Sequence, residues 1–137
     1  RLLRGALETE LAHRGINLPV LWGNRNWAPY LADVISAAHA DGHVRLLGVA
    51  TSAYSSYSSC RQYREDFGLA LAGTGLLGSV RIDKVRTYFD RTGFRAVFAE
   101  GTVDAIRRAM AAGLETADLE IVFTTHSIPV TMADTSG

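Results

Sequence analysis

The sequence predicts an α/β protein in three layers, a parallel sheet with helices on both faces, and three observations carry that prediction. Short apolar runs alternate with segments of helical periodicity along the whole chain. None of these runs shows the polar alternation of a sheet with one face in water, which is the pattern of strands buried on both sides. Glycines stand where the helical periodicity stops, as helix C-termini require.

The segment at 2–15, "LLRGALETELAHRG", places apolar residues at 2, 3, 6, 7 and 11 and closes on Gly15, so it is read as a helix. "LPVLWG" at 18–23 is a short apolar run closed by glycine and is read as the first strand. After Pro29 the helical spacing returns in "YLADVISAAHADG", 30–42. "VRLLGVA", 44–50, is the second strand, and a serine- and tyrosine-rich turn leads from it into a helix from about Ser58 to Leu71. "SVRIDKV", 79–85, is read as the third strand, "FRAVFAEGTVDAIRRAMAAG" as a helix through at least its second half, stopping at Gly113, and "LEIVFTT", 119–125, as the fourth. No internal repeat, low-complexity tract or linker interrupts the series, so residues 1–137 are read as one α/β domain. Its first residue already lies inside an amphipathic pattern, and "ADTSG" stops in mid-loop, which points to a partial domain cut from a longer protein.

Bulk properties remove several function classes. Fourteen basic and fourteen acidic residues give zero formal net charge, so the electrostatic footprint of nucleic-acid binding or of adhesion to anionic membranes is missing. A hydrophobic share of 47% with 20% charged residues is ordinary for a soluble globular chain. No apolar run has the length of a membrane span, and no signal peptide opens the chain. The single cysteine, Cys60, excludes an intramolecular disulfide framework and fits a reducing, cytoplasmic location.

In open parallel sheets ligands collect beyond the carboxyl ends of the strands, where loops converge and helix N-termini point inward. "GNRNWAPY", "TSAYSSYSSC", "RTYFDRTGF" and "HSIP" come after the four expected strands in turn, so every unusual local composition falls on one sheet edge. His126 directly ends the fourth strand; its imidazole can accept a proton near neutrality or ligate a metal, and it can equally be a loop histidine satisfied by hydrogen bonds. Pro129 fixes the exit direction behind it, and Ser127 can cap the next turn. Arg25 can bind a carboxylate or line a pocket beside Trp27; the plainer alternative is a solvated arginine next to a packed tryptophan. Tyr54 and Tyr57, at i and i+3 with Ser55 and further serines around them, suit a flat aromatic ligand with polar edges, and suit a capped helix N-terminus as well.

Other chemistries find no support. "LAGTGLLG" ends a helix instead of following a strand and carries no lysine, so it is neither a dinucleotide fingerprint nor a P-loop. No G-x-S-x-G is present for a nucleophile elbow. His39 and His43 are spaced i, i+4, yet Gly42 between them breaks the helix that would make them a metal pair.

Taken jointly and in this order, "WGNRNWAP", "ATSAYSSYSSCRQYRED", "TYFDRTGF" and "FTTHSIP" resemble the ferrochelatase family, most closely its actinobacterial type that acts on coproporphyrin III. The resemblance runs through all 137 residues, which correspond to the middle of a family member. It implies a Rossmann-like chelatase fold, of which this chain holds an incomplete N-terminal half plus the strand leading to the histidine of a longer two-domain protein. It also implies a lyase of heme biosynthesis whose substrates are ferrous iron and a porphyrin, coproporphyrin III or protoporphyrin IX. His126 matches the family's active-site histidine, the base or metal contact, and Arg25 the basic position of the "G-x-R" loop at the pocket. Tyr54, Ser55 and Tyr57 are the further candidates for contact with the porphyrin.

The same resemblance gives Cys60 a second reading, as one ligand of a [2Fe–2S] cluster whose three other cysteines lie nearer the C-terminus of a full-length protein. Three residues depart from the family pattern: Asn24, where a larger apolar residue such as methionine usually stands, Thr125, where alanine is common beside the histidine, and Thr92, where proline often precedes "GF". Loops of the family's site fall outside these residues, so the chain by itself is expected to be inactive. Three rivals remain on the same residues: a relative that inserts another metal such as cobalt, a non-catalytic porphyrin-binding or heme-binding module, and a flavodoxin-like regulatory domain.

Overall fold

Four helices of this protein end where a glycine follows them. The second helix, α2 (Leu31–Ala40), is capped at Asp41; the Gly42 N–H then donates to the His39 carbonyl at 2.9 Å and the His43 N–H to that of Ala38 at 2.9 Å. Gly42 has φ +89°, a conformation that only glycine reaches without strain, and this pair of bonds satisfies two carbonyls that the helix would otherwise leave open. The same closure ends α1 (Leu2–His13), α3 (Gln62–Gly73) and α4 (Thr92–Ala111). It also separates His39 from His43, as the sequence required.

The computed structural model describes residues 2–57, 61–124 and 127–134. Beyond the four helices it contains β1 (Arg45–Gly48), β2 (Arg81–Lys84), a 3₁₀ turn (Thr116–Asp118) and a short α5 (Val130–Asp134). The mixed α/β class and the parallel pairing are as expected. β1 and β2 pair in parallel, with Leu46 opposite Ile82 and Gly48 opposite Lys84, and the crossover that parallel strands demand contains α3. The other two expected strands do not appear among the described residues: 18–23 and 119–124 form no ladder. The reason is visible in their surroundings, since Leu18, Leu21, Ile121 and Val122 are largely exposed and an extended run becomes a strand only beside a partner.

The chain divides into two compact units, one built from the chain up to Val49 with Tyr63–Lys84, the other from Ala50–Gln62 and the chain from Val85 onward. The first holds the hydrophobic cluster: Ile35 of α2, Ala70 and Leu71 of α3, and Val80, with Leu31, Leu46 and Ile82 packed against them. Leu31, Ile35 and Ala38 recur at helical spacing on α2, as Phe67, Ala70 and Leu71 do on α3, so each helix turns one stripe inward. Gly48 makes the α3 contact possible. A β-carbon there would stand 2.6 and 2.7 Å from ring atoms of Phe67, closer than any real methyl contact.

The other face of the strand pair carries charge. Arg45 and Arg81 are register partners, two cations side by side, and the Asp83 carboxylate accepts from both, at 3.1 Å from Arg45 Nε and 2.9 Å from Arg81 Nε. These bonds, Arg81 first and Arg45 second, hold the Asp83 carboxyl below the ordinary carboxylate value. In the second unit Arg86 does the same to Asp90.

Candidate active site

Arg25 sits in a loop that closes on itself. The Asn24 N–H donates to the Pro29 carbonyl at 2.8 Å and the Leu31 N–H returns to the Asn24 carbonyl at 3.0 Å, which brings the two ends of the loop together. The Asn24 side chain adds two ties: its Oδ1 accepts from Trp22 Nε1 at 3.0 Å, and its Nδ2 donates to the Ala28 carbonyl at 3.3 Å. An asparagine can do both because its amide carries an acceptor and donors at once; a methionine there would have no donor and only a weakly accepting sulfur.

This closed loop presents Arg25 to α3. Arg25 Nε forms an ion pair with Asp66 Oδ2, and the guanidinium carbon lies over the Tyr63 ring, 5.5 Å from its centroid. The pair is sheltered, with 28% of the arginine side chain and 22% of the aspartate side chain exposed. Both contacting atoms are shut off from solvent and neither has a directional hydrogen-bond partner among the described residues, so the contact is one of charge against charge. A solvated arginine beside a packed tryptophan is the reverse of what stands here: the arginine is the sheltered residue, and Trp27 is 63% exposed.

Tyr54, Ser55 and Tyr57 belong to the second unit. The segment is anchored by its own backbone, since the Ala53 carbonyl accepts from the Tyr88 and Phe89 N–H groups at 3.2 and 3.3 Å, and the Tyr88 hydroxyl donates to the Ala50 carbonyl at 3.3 Å. Tyr54 stacks on Phe89 with ring centroids 5.9 Å apart and meets Phe94 edge-on at 6.0 Å. Phe94 continues the cluster to Tyr88 and Phe98. One face of the Tyr54 ring is therefore taken by protein, while the residue as a whole stays 61% exposed. Tyr57 packs under the Arg61 guanidinium, 5.9 Å from ring centroid to Cζ, and Ser55 is exposed.

His126 and Cys60, on which most of the expected chemistry turns, lie outside the described residues. Immediately after "HSIP" the chain turns into a helix: the Pro129 carbonyl accepts from the Met132 and Ala133 N–H groups at 2.9 and 3.1 Å, and α5 opens there. A [2Fe–2S] cluster needs four ligands and the chain has one cysteine, so its residues do not make up a cluster site. The described residues contain no group of three or more metal-ligating side chains.

Two surface concavities lie elsewhere. One, of about 360 Å³, lies between α3 and β2 and is lined by Phe67, Leu71, Ile82 and Asp83 among others. The second, of about 540 Å³, lies between α4 and the extended segment 119–122. Neither includes Arg25, Tyr54, Ser55 or Tyr57. Sequence reasoning singled out Arg25 and missed Asp66; the available signal was an acidic residue at i+3 from Tyr63 in the helix after the serine-tyrosine turn.

Comparison with known proteins gives a consistent answer. A family model described as ferrochelatase matches residues 1–137. A coproporphyrin III ferrochelatase of Leifsonia xyli subsp. xyli is 58% identical over 140 residues, covering 100% of this chain and 36% of that protein. The protein of the same name from Tropheryma whipplei is 49% identical over 137 residues, covering all of this chain and 35% of its own length. That of Streptomyces griseus is 48% identical over 139 residues, with 36% of its length covered. The chain spans about a third of the length of the curated relatives it matches. No helix among the described residues is long and apolar enough to cross a membrane.

Proposed function

The chain belongs to the ferrochelatase family, and from that premise we propose that it is the middle third of a cytoplasmic, two-domain enzyme that inserts ferrous iron into coproporphyrin III during heme biosynthesis. The observation that carries the reading is identity of 48–58% to proteins named for that substrate, sustained across the whole chain. Protoporphyrin IX is the second porphyrin to test.

Insertion replaces two pyrrole N–H protons by the metal, so the reaction releases two protons and needs a base on one face of the ring. His126 supplies that base or first contacts the metal; an imidazole titrates near neutrality and can take a proton and pass it on. Arg25 and the Tyr54–Tyr57 segment contribute the porphyrin contacts, the guanidinium to a polar edge and the tyrosines with Ser55 to the ring. Tyr54 suits this role because its ring is backed by Phe89 and Phe94, which hold it in one orientation. Cys60 acts as one thiolate ligand of a [2Fe–2S] cluster only in a longer chain that brings the other three. This segment alone is inactive.

The test is His126→Ala in a chain of the relatives' full length. Iron insertion into coproporphyrin III should fall by more than about 99%, since a positioned general base contributes on the order of a hundredfold or more. Porphyrin affinity should stay near its original value. Turnover that survives the substitution would instead favour a non-catalytic, heme-ligating role for the histidine, and cobalt insertion exceeding iron insertion would reassign the metal.

A further inference from the structure

A guanidinium has five N–H donors and two faces, and the structure accounts for part of each. Arg25 Nε is against Asp66 Oδ2, and one face lies over Tyr63. Asp66 and Tyr63 are three residues apart on α3, so they present to the same side of that helix. The ion pair with Asp66 is made at Nε, so the two terminal nitrogens form the outer edge of the fork. The loop carrying Arg25 is itself held shut by Asn24, so the arginine is fixed at its backbone by one set of bonds and at its head by another.

We propose that Asp66 and Tyr63 are positioning residues, a clamp on α3 that turns the paired terminal amino groups of Arg25 toward a carboxylate of the porphyrin. The inference rests on the reading of Arg25 as a porphyrin contact. The chemistry favours it on two counts. A planar fork recognises a carboxylate through two parallel N–H···O bonds, and an arginine clamped at Nε keeps its outer edge for that purpose. Ordering the side chain before the ligand arrives also removes the rotamer entropy that a mobile arginine loses on binding. Asp66 in this role works through Arg25 and does not touch the substrate.

The experiment uses a chain of the relatives' full length and the absorbance change on titration with coproporphyrin III and with its tetramethyl ester in the same detergent. Asp66→Asn should weaken binding of the acid by about tenfold, the scale of one charge-assisted contact, with kcat nearly kept, and should leave the ester unaffected. Asp66→Glu should recover most of the loss. Combined with Arg25→Gln, Asp66→Asn should add nothing further, because both act through one guanidinium. Asp66→Asn binding the acid as well as or better than the original chain, while Arg25→Gln weakens it, overturns the clamp and leaves the Arg25 reading intact. Arg25→Gln without effect overturns both. Should Asp66→Asn unfold the protein, Tyr63→Phe against Tyr63→Leu decides the matter: the clamp requires phenylalanine to keep the affinity and leucine to lower it severalfold, and equal affinities refute it.

Discussion

Two apolar runs that look alike in the sequence end differently in the molecule. "VRLLGVA" becomes β1, with Leu46 in the hydrophobic cluster, a parallel partner in β2 and Phe67 of α3 seated over Gly48. "LEIVF" stays an extended segment with Ile121 55%, Val122 77% and Phe123 88% exposed, and its first residues line the 540 Å³ groove beside α4. Apolarity states that a run gains by leaving water; it does not state what will cover it. The first run finds both its strand partner and its helix within the next forty residues of the same unit, which is why local sequence sufficed there.

The sharpest way to break the ordered side of this comparison is Gly48→Ala. The added methyl would overlap the Phe67 ring, and forcing an extra group into a packed contact costs about 1–3 kcal/mol. Thermal or urea unfolding should show that loss, and Phe67→Leu should recover part of it by making room. If Gly48→Ala unfolds like the original chain, β1 is not held by α3 as described and the contrast between the two runs disappears.

The complementary substitution on the exposed run is Phe123→Ser. A side chain 88% exposed has nothing to lose on folding, so the stability of this chain should change by no more than about 0.5 kcal/mol. Solubility should rise, since an exposed phenylalanine beside exposed valine and isoleucine is a site for association. A loss of several kcal/mol would mean that the segment is packed in solution. The same substitution in a chain of the relatives' full length sharpens the comparison further, because any larger loss found only there reports on cover contributed by the remaining residues.

The same physics decides how much of the molecule is readable from its sequence. Helix ends were legible because a glycine stop is a local event: the φ of Gly42 and its two hydrogen bonds involve only neighbours in the chain. Strands β1 and β2 were legible because their crossover lies between them. The runs 18–23 and 119–125 were read as strands on composition alone, and composition carries no information about a partner. The four motifs taken together placed the chain in its family, as the family match bears out. At the site, Arg25 stood out by its unusual loop, whereas Asp66 looked like any solvated helix aspartate until the fold brought it to Arg25 across about forty residues of chain. Asn24 read as a departure from the family pattern and proved to be the residue that ties its loop together.

The smallest effect concerns the solvent face of the ordered strand pair, where the comparison can be tuned without disturbing the core. Asp83 is held below the ordinary carboxylate value by Arg81 and then Arg45, so the folded protein binds its proton less readily than the unfolded chain does. Linkage sets the sign: its contribution to stability is present above the unfolded value of about 3.9 and fades as pH falls through the lower, folded value. The two arginines are well exposed, which screens the contribution and keeps it modest. A carbon-detected NMR titration should place the Asp83 midpoint below that of an unstructured aspartate, with Asp90 shifted the same way by Arg86. Raising the salt to about 1 M, where the Debye length is about 3 Å, should move both midpoints back up. Asp83→Asn should abolish the corresponding acid dependence and leave Arg45 facing Arg81 without a shared anion, a penalty that salt relieves. A midpoint for Asp83 at or above the ordinary value would show that the arginines do not close on it in solution, and the strand pair would then owe its register to Leu46, Ile82 and the helix above them alone.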